Sequence, residues 1–128
     1  EALCPNTRLF NIQRGLLLYQ YGRYDEAEIE LVKGLEIKPH DDNILIHLGM
    51  INLKKGENLL STNKEQALTF LKQAVSVFDK VISINPGVYQ QCFDLIAYIF
   101  SKVPGEEEKK ALQLDAPHAE RAPNPLID

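Results

Sequence analysis

Residues 21–39 read YGRYDEAEIELVKGLEIKP, and the order within this stretch decides the fold. Tyr24, Ala27, Leu31 and Leu35 recur at spacings of three and four, with acidic residues between them. That pattern gives an α-helix one apolar stripe and one wet face. Asp25 and Glu26 fall in the first turn, where carboxylates favour the positive end of the helix dipole. Pro39 closes the helix, because the residue before a proline is pushed out of helical geometry. Nothing here is chemistry. The stretch reads as a packing unit.

Working outward, residues 8–21 hold a second helical run, with Leu9, Ile12, Leu16 and Tyr19 on one face, stopped by Gly22. Two helices joined by a tight glycine turn make a helical hairpin. The unit recurs. Gly15 has its counterpart in Gly49, each inside an apolar helical run. AEIELVKGLEIKP (27–39) and AVSVFDKVISINP (74–86) align without a gap, so that Ala27 and Pro39 match Ala74 and Pro86. A third opening follows in FDLIAYIF (93–100). A fixed internal period is the mark of a stacked repeat architecture.

These residues resemble the tetratricopeptide repeat, a helix–turn–helix unit of about 34 residues. That length is the interval from Gly15 to Gly49. The first repeat matches at Gly15, Leu18, Gly22, Tyr24, Ala27, Leu31 and Pro39. The second matches at Leu45, Leu48, Gly49, Gly56, Ala74, Phe78 and Pro86, and the third opening at Phe93, Ile96, Ala97 and Phe100. The resemblance covers about residues 8–103 and implies an all-α, right-handed helical solenoid of about 2.5–3 repeats. Small residues would let paired helices approach, and large ones would fill the gaps between them. The chain departs from the family at Asn11 and Arg14, where large apolar residues are the rule, so the start of the first helix is expected to pack loosely. Leu16 stands where carboxylate-clamp members carry Asn, so a C-terminal carboxylate ligand is not expected.

The second repeat is longer than the first. Gly49 to Ala74 spans 25 residues where Gly15 to Ala27 spans 12, an insertion of 13. Thr62-x-x-Glu65 reads as a capping box that opens a helix near residue 63. Helices are therefore expected near 8–21, 24–37, 42–60, 63–84, 88–102 and 105–114. The elongated hairpin (56–70) would project beyond its neighbours, with an irregular loop at 56–62 as the alternative. EEEKKALQL favours a short helix at 105–114, either the second half of the third repeat or a cap on the open end of the stack. The repeat domain thus covers 1–115. The tail 116–128 holds three prolines and is expected to be extended or disordered, or to dock through Leu126 and Ile127.

Composition bounds the function. The chain has 128 residues, 45% of them hydrophobic and 25% charged, which suits one globular domain. No apolar run is long enough to span a membrane. With 14 basic and 18 acidic residues the net charge is −4, and no basic cluster points to nucleic acid. Cys4 and Cys92 are isolated, which fits reduced thiols and a cytoplasmic location. The first residue is Glu1 rather than Met, which leaves open a fragment or a processed form. HDDNILIH (40–47) offers His40, Asp41, Asp42 and His47, but acids at a helix start are common N-caps and no third ligand is evident. No phosphate loop or nucleophile elbow occurs, so neither an enzyme nor a cofactor is expected.

A solenoid of this kind implies a groove lined by the first helix of each repeat. Superposing the repeats so that Gly15 falls on Gly49 pairs Ile12 with Ile46, Leu16 with Met50 and Tyr19 with Leu53. The third opening continues the row with Asp94, Tyr98 and Ser101. The expected groove is therefore Ile12, Leu16, Tyr19, Ile46, Met50, Leu53 and Tyr98, flanked by Gln13, Gln20, His47, Lys54 and Lys102. Such a row would bind an apolar peptide or helix of a protein partner, unless a neighbouring helix or the tail covers it. The reading is of a non-catalytic protein–protein interaction module, a scaffold or adaptor. The alternative is a piece of a longer array, or a regulatory domain of an enzyme, forming a homo-oligomer through the long hairpin.

Overall fold

Several helices end where the sequence supplies a glycine turn or a proline. The computed structural model describes residues 7–103, 105–113 and 116–117, and among them the backbone is all-helical, without strands. In order they form α1 (Thr7–Gln20), α2 (Tyr24–Ile37), α3 (Asp42–Leu59), α4 (Lys64–Ile84), a 3-10 turn (Pro86–Val88), α5 (Tyr89–Lys102) and α6 (Glu106–Gln113). Cys4, and the tail from residue 118 with Leu126 and Ile127, lie outside the described residues.

Gly22 has φ +77°, a left-handed angle that glycine adopts without a side-chain clash. The Arg23 amide then reaches back to the Leu18 carbonyl at 2.9 Å, closing α1. Lys38 (φ −138°) is extended and Asn85 (φ −139°) has likewise left the helical region, as residues before Pro39 and Pro86 should. Asp41 caps α3 by accepting from the Ile44 amide at 3.2 Å, so this acid of the HDDNILIH run serves the helix start. The expected capping box is displaced by one residue. Asn63, not Thr62, accepts from the Gln66 amide at 3.2 Å, and its side-chain amide donates to Gln66 Oε1 at 3.3 Å. Asparagine is at least as good an N-cap as threonine, and Gln66 gives it a reciprocal partner.

Two hairpins carry the core. In the first, α1 lies on α2 with Gly15 against Leu31. A Cβ on Gly15 would come within 2.8 Å of Leu31 Cγ. In the second hairpin this contact occurs twice. A Cβ on Gly49 would meet Phe78 Cε1 at 2.5 Å, and one on Gly56 would meet Leu71 Cγ at 2.7 Å. Gly56 lies seven residues after Gly49, while Ala67 and Leu71 lie seven before Ala74 and Phe78. Seven residues are close to two turns, so both helices lengthen without rotating their packing faces. The insertion is thus an added packing layer. The irregular loop considered for 56–62 is absent, since α3 runs to Leu59 and the turn is only four residues long.

Two expectations need correction. Asn11 is not loosely held: it is 7% exposed, and its side-chain amide donates to Glu30 Oε1 at 3.2 Å, while Arg14 reaches Glu30 at 3.6 Å. A polar partner on α2 replaces the missing apolar contact. Nor does the long hairpin project bare. α6 packs on α4, burying Leu112, and Lys64 near the hairpin tip meets Glu108 at 2.9 Å.

The core divides into two clusters that share α3. Ile44 and Ile51 join Ile12, Ala27 and Leu31 on one flank. Leu45, Ile46 and Leu53 join α4 and α5 residues such as Phe78, Ile96 and Ile99 on the other. Lys55 adds a polar strap, with its ammonium 2.7 Å from Asp25 and 3.1 Å from Glu28 on α2 and 5.6 Å from the Phe70 ring centre on α4. Burial alone would lower its pKa, but the two carboxylates outweigh that and raise it.

Candidate protein-binding face

Because α3 touches both α1 and α5, these three helices share a face. The sequence placed a row of apolar residues and its polar flanks there, and the structure separates them. Ile12, Ile46 and Leu53 are only 3%, 5% and 5% exposed and belong to the core, which corrects their assignment to an open groove. The reason is geometric. α3 has a neighbour on each flank. Ile46 and Leu53 fall in the cluster with α4 and α5, whereas Ile12 on α1 falls in the cluster with Ala27 and Leu31 of α2 and Ile44 and Ile51 of α3. Their apolar surface is already buried within the chain.

Leu16, Tyr19, His47, Met50 and Lys54 are half-buried, and Tyr98 and Lys102 are exposed, as are Gln13, Gln20, Asp94 and Ser101. His47, Met50, Lys54 and Glu57 follow one another along α3 at spacings of three, four and three, a single helical stripe. His47 Nδ1 donates to the Asn43 carbonyl at 2.7 Å, leaving Nε2 as its remaining polar atom.

The centre of this face is Glu57, which the sequence did not single out. It accepts a hydrogen bond from the Tyr98 hydroxyl of α5. Lys54 Nζ lies 3.7 Å and Lys102 Nζ 4.0 Å from its carboxylate, and the Lys102 ammonium sits 5.2 Å from the centre of the Tyr98 ring. The hydrogen bond to Glu57 is the first cause that raises the Tyr98 pKa, followed by burial and the carboxylate's charge. Tyr19 of α1 is raised as well, by burial, by Tyr24 and by Glu57, and its ring lies 5.5 Å from that of Tyr24. Two ammonium groups therefore face one carboxylate, with Tyr19 and Tyr98 on either side. No pattern in the sequence distinguishes Glu57 from other helical glutamates, because the groups that set it apart lie on α5, with Tyr98 41 residues away.

The arrangement offers recognition chemistry: ammonium donors, phenol hydroxyls and two half-open apolar side chains, Leu16 and Met50. Among the described residues, no group of three or more His, Cys, Asp or Glu is placed to hold a metal ion. No helix among them is long and apolar enough to cross a membrane. A second concavity, of about 360 Å³, lies between α4 and α6 and is lined by Leu68, Thr69, Lys72 and Ala111 with Glu65 and Glu107. Comparison with family models, with curated proteins and with solved structures gave no match to this chain.

Proposed function

We propose that this chain is a non-catalytic protein–protein interaction module, built as a short helical solenoid of the tetratricopeptide kind, which binds a segment of a partner protein across α1, α3 and α5. The observation that carries this reading is the cluster of Lys54, Glu57, Tyr98 and Lys102, joined across α3 by Tyr19. Two lysines around one carboxylate leave a local excess of positive charge at the Glu57 cluster, with the exposed Asp94 one turn away along α5. Leu16 and Met50 remain half open beside it. The matching ligand is a segment that sets an apolar side chain next to an acidic one. The apolar residue rests on Met50, whose thioether adapts its shape, and the acid meets Lys54 and Lys102.

Recognition of this kind differs from the purely apolar groove read from the sequence. Burial of Ile12, Ile46 and Leu53 removes three anchors and leaves more of the affinity to charge, so binding should weaken as salt rises. The glycine contacts with Leu31, Phe78 and Leu71 support the solenoid reading, because they are the close helix approaches that such repeats require. The alternative, self-association through the long hairpin, loses ground where α6 covers α4.

The test is to select peptides from a random display library on the intact chain and measure their affinities. Selected peptides should pair an acidic with an apolar residue. Lys54→Glu with Lys102→Glu, or Met50→Glu alone, should weaken them by tenfold or more, about 1.4 kcal/mol. Peptides that bind all three chains equally would move the contact elsewhere and end this reading.

A further inference from the structure

A second surface lies on α1, away from the face just described. Three first helices can be compared position by position. On α3, Ile44, Leu48, Ile51 and Lys55 all meet the preceding hairpin: the first three belong to the cluster of Ala27, Leu31 and Leu35, and Lys55 pairs with Asp25 and Glu28. On α5 and the residue after it, the same spacing is repeated by Cys92, Ile96, Ile99 and Val103. These are 0%, 4%, 0% and 2% exposed, in one cluster with Ala74, Val75 and Phe78 of α4. Twice, then, the same four positions of a first helix are covered by the second helix of the unit before it.

Stepping back from α3 by the interval that carries Gly49 onto Gly15 gives Phe10, Arg14, Leu17 and Tyr21, on α1 and just past its end. Phe10, Leu17 and Tyr21 are 60%, 52% and 74% exposed. They fall on one stripe, and each is large and apolar where solvent would favour a polar residue. At the far end of the chain the comparison runs the other way. α6 turns Glu106, Glu107, Lys110 and Gln113 to solvent and buries Leu112, so among the described residues that helix shows no matching apolar stripe.

We infer that the Phe10–Leu17–Tyr21 face of α1 is a docking surface for the second helix of another helix–turn–helix unit, an amphipathic helix with small and aliphatic residues spaced like Ala27, Leu31 and Leu35. The occupant follows from internal equivalence, since an α2-type helix covers these positions on α3 and α4 covers them on α5. The polar end at α6 argues against a second copy stacking head to tail. This surface does not depend on how the α1–α3–α5 face is used.

The experiment repeats residues 7–40 once within the full chain, so that a copy of α2 precedes the original α1 in the register that relates Gly15 to Gly49. Solenoid stability is close to a sum over neighbouring units, so a filled interface adds to it. Thermal unfolding should stay a single transition, with the midpoint raised by about 5 °C or more. Leu17→Glu in the original α1 should cancel that rise, while the same change in the unextended chain should move its midpoint by no more than about 1 °C. An unchanged midpoint, a separate transition for the added hairpin, or a rise that survives Leu17→Glu would each overturn the inference. Sedimentation of the unextended chain gives a further check. A dimer that Leu17→Glu dissociates would show a second copy on this face and overturn the assigned occupant.

Discussion

The two hairpins close on the same contact, a glycine of the first helix against a large side chain of the second. The first hairpin makes it once, at Gly15 and Leu31, and has one flank covered by α3. The second makes it twice, at Gly49 with Phe78 and Gly56 with Leu71, and has α1 and α2 on one flank with α5 on the other. Among the described residues, the largest fully buried side chains include only Leu31 from the first hairpin, while α3 and α4 supply Phe78, Ile44, Ile51, Leu71, Val75 and Val81. Stability should therefore be uneven along the chain, concentrated where layers and flanks are doubled.

The largest effect that would test this unevenness is overpacking at the glycines. A Cβ at Gly49 meets the Phe78 ring at three atoms within 3.0 Å, and one at Gly56 meets the Ala67 backbone carbonyl at 2.9 Å. An aromatic ring held on all sides and a backbone oxygen have little room to yield. At Gly15 the close atoms belong to Leu31, and the Ala27 carbonyl is further off, at 3.4 Å. Gly49→Ala and Gly56→Ala should each cost about 2–3 kcal/mol in urea unfolding, and Gly15→Ala about 1 kcal/mol. Ala74→Leu and Ala27→Leu should fall in the same order. A Gly15→Ala chain that loses as much as the other two would mean that the hairpins are packed alike.

Cys92 sharpens the claim that the second hairpin has a covered flank. It lies on α5, fully buried against α4, and burial, with Asp42 as a lesser cause, pushes its thiol up to about 11. A folded pKa raised above the unfolded one gives stability that is complete below the ordinary thiol value and lost as pH climbs toward about 11. A Cys92→Ala chain lacks this slope. Between about pH 8 and 11 it should lose roughly 2 kcal/mol less than the parent chain. Equal slopes would mean that α5 lets solvent reach the thiol.

Helix bounds were legible because they depend on local rules. Apolar spacing, Gly22 and the two prolines act within a turn of where they stand. The site was less legible because burial is set by neighbours that the local pattern does not name. Laying Gly15 on Gly49 carried Ile12 onto Ile46 correctly, yet gave no sign that a helix covers each of them. Glu57 went unnoticed for the same reason, with its partner Tyr98 41 residues away. Two signals were available in the chain itself. The seven-residue steps from Gly49 to Gly56 and from Ala74 to Ala67 announce the added layer, and matching Ile44 and Ile51 to Phe10 and Leu17 exposes the open face of α1.

A smaller effect concerns exchange rates. Amides in the interior of α3 and α4 should exchange at least about tenfold more slowly than those of α1 and α2, as doubled layers raise the local opening energy. Equal protection would show that the stack opens only as one unit, and the contrast between hairpins would then be structural without being energetic.

The smallest expected effect lies at the hairpin tip, where Lys64 donates to Glu108 across the gap from α4 to α6. That hydrogen bond is the chief reason the Glu108 carboxyl lies below its ordinary value. A depressed carboxyl pKa gives stability that is present above the unfolded value and lost as pH falls through the folded one. Lys64 is exposed and Glu108 half-buried, so salt screens the pair in part, and breaking it should free α6 without reaching the layers beneath. Glu108→Gln should therefore speed amide exchange in α6, and high salt or pH below the carboxylate range should do the same to the parent chain. The unfolding midpoint should stay where it was, because Gly56, Ala67 and Leu71 close the hairpin without help from α6. If Glu108→Gln lowers the midpoint as far as Gly56→Ala does, the tip is held from outside. The second layer would then owe its strength to α6 rather than to its own helix contact.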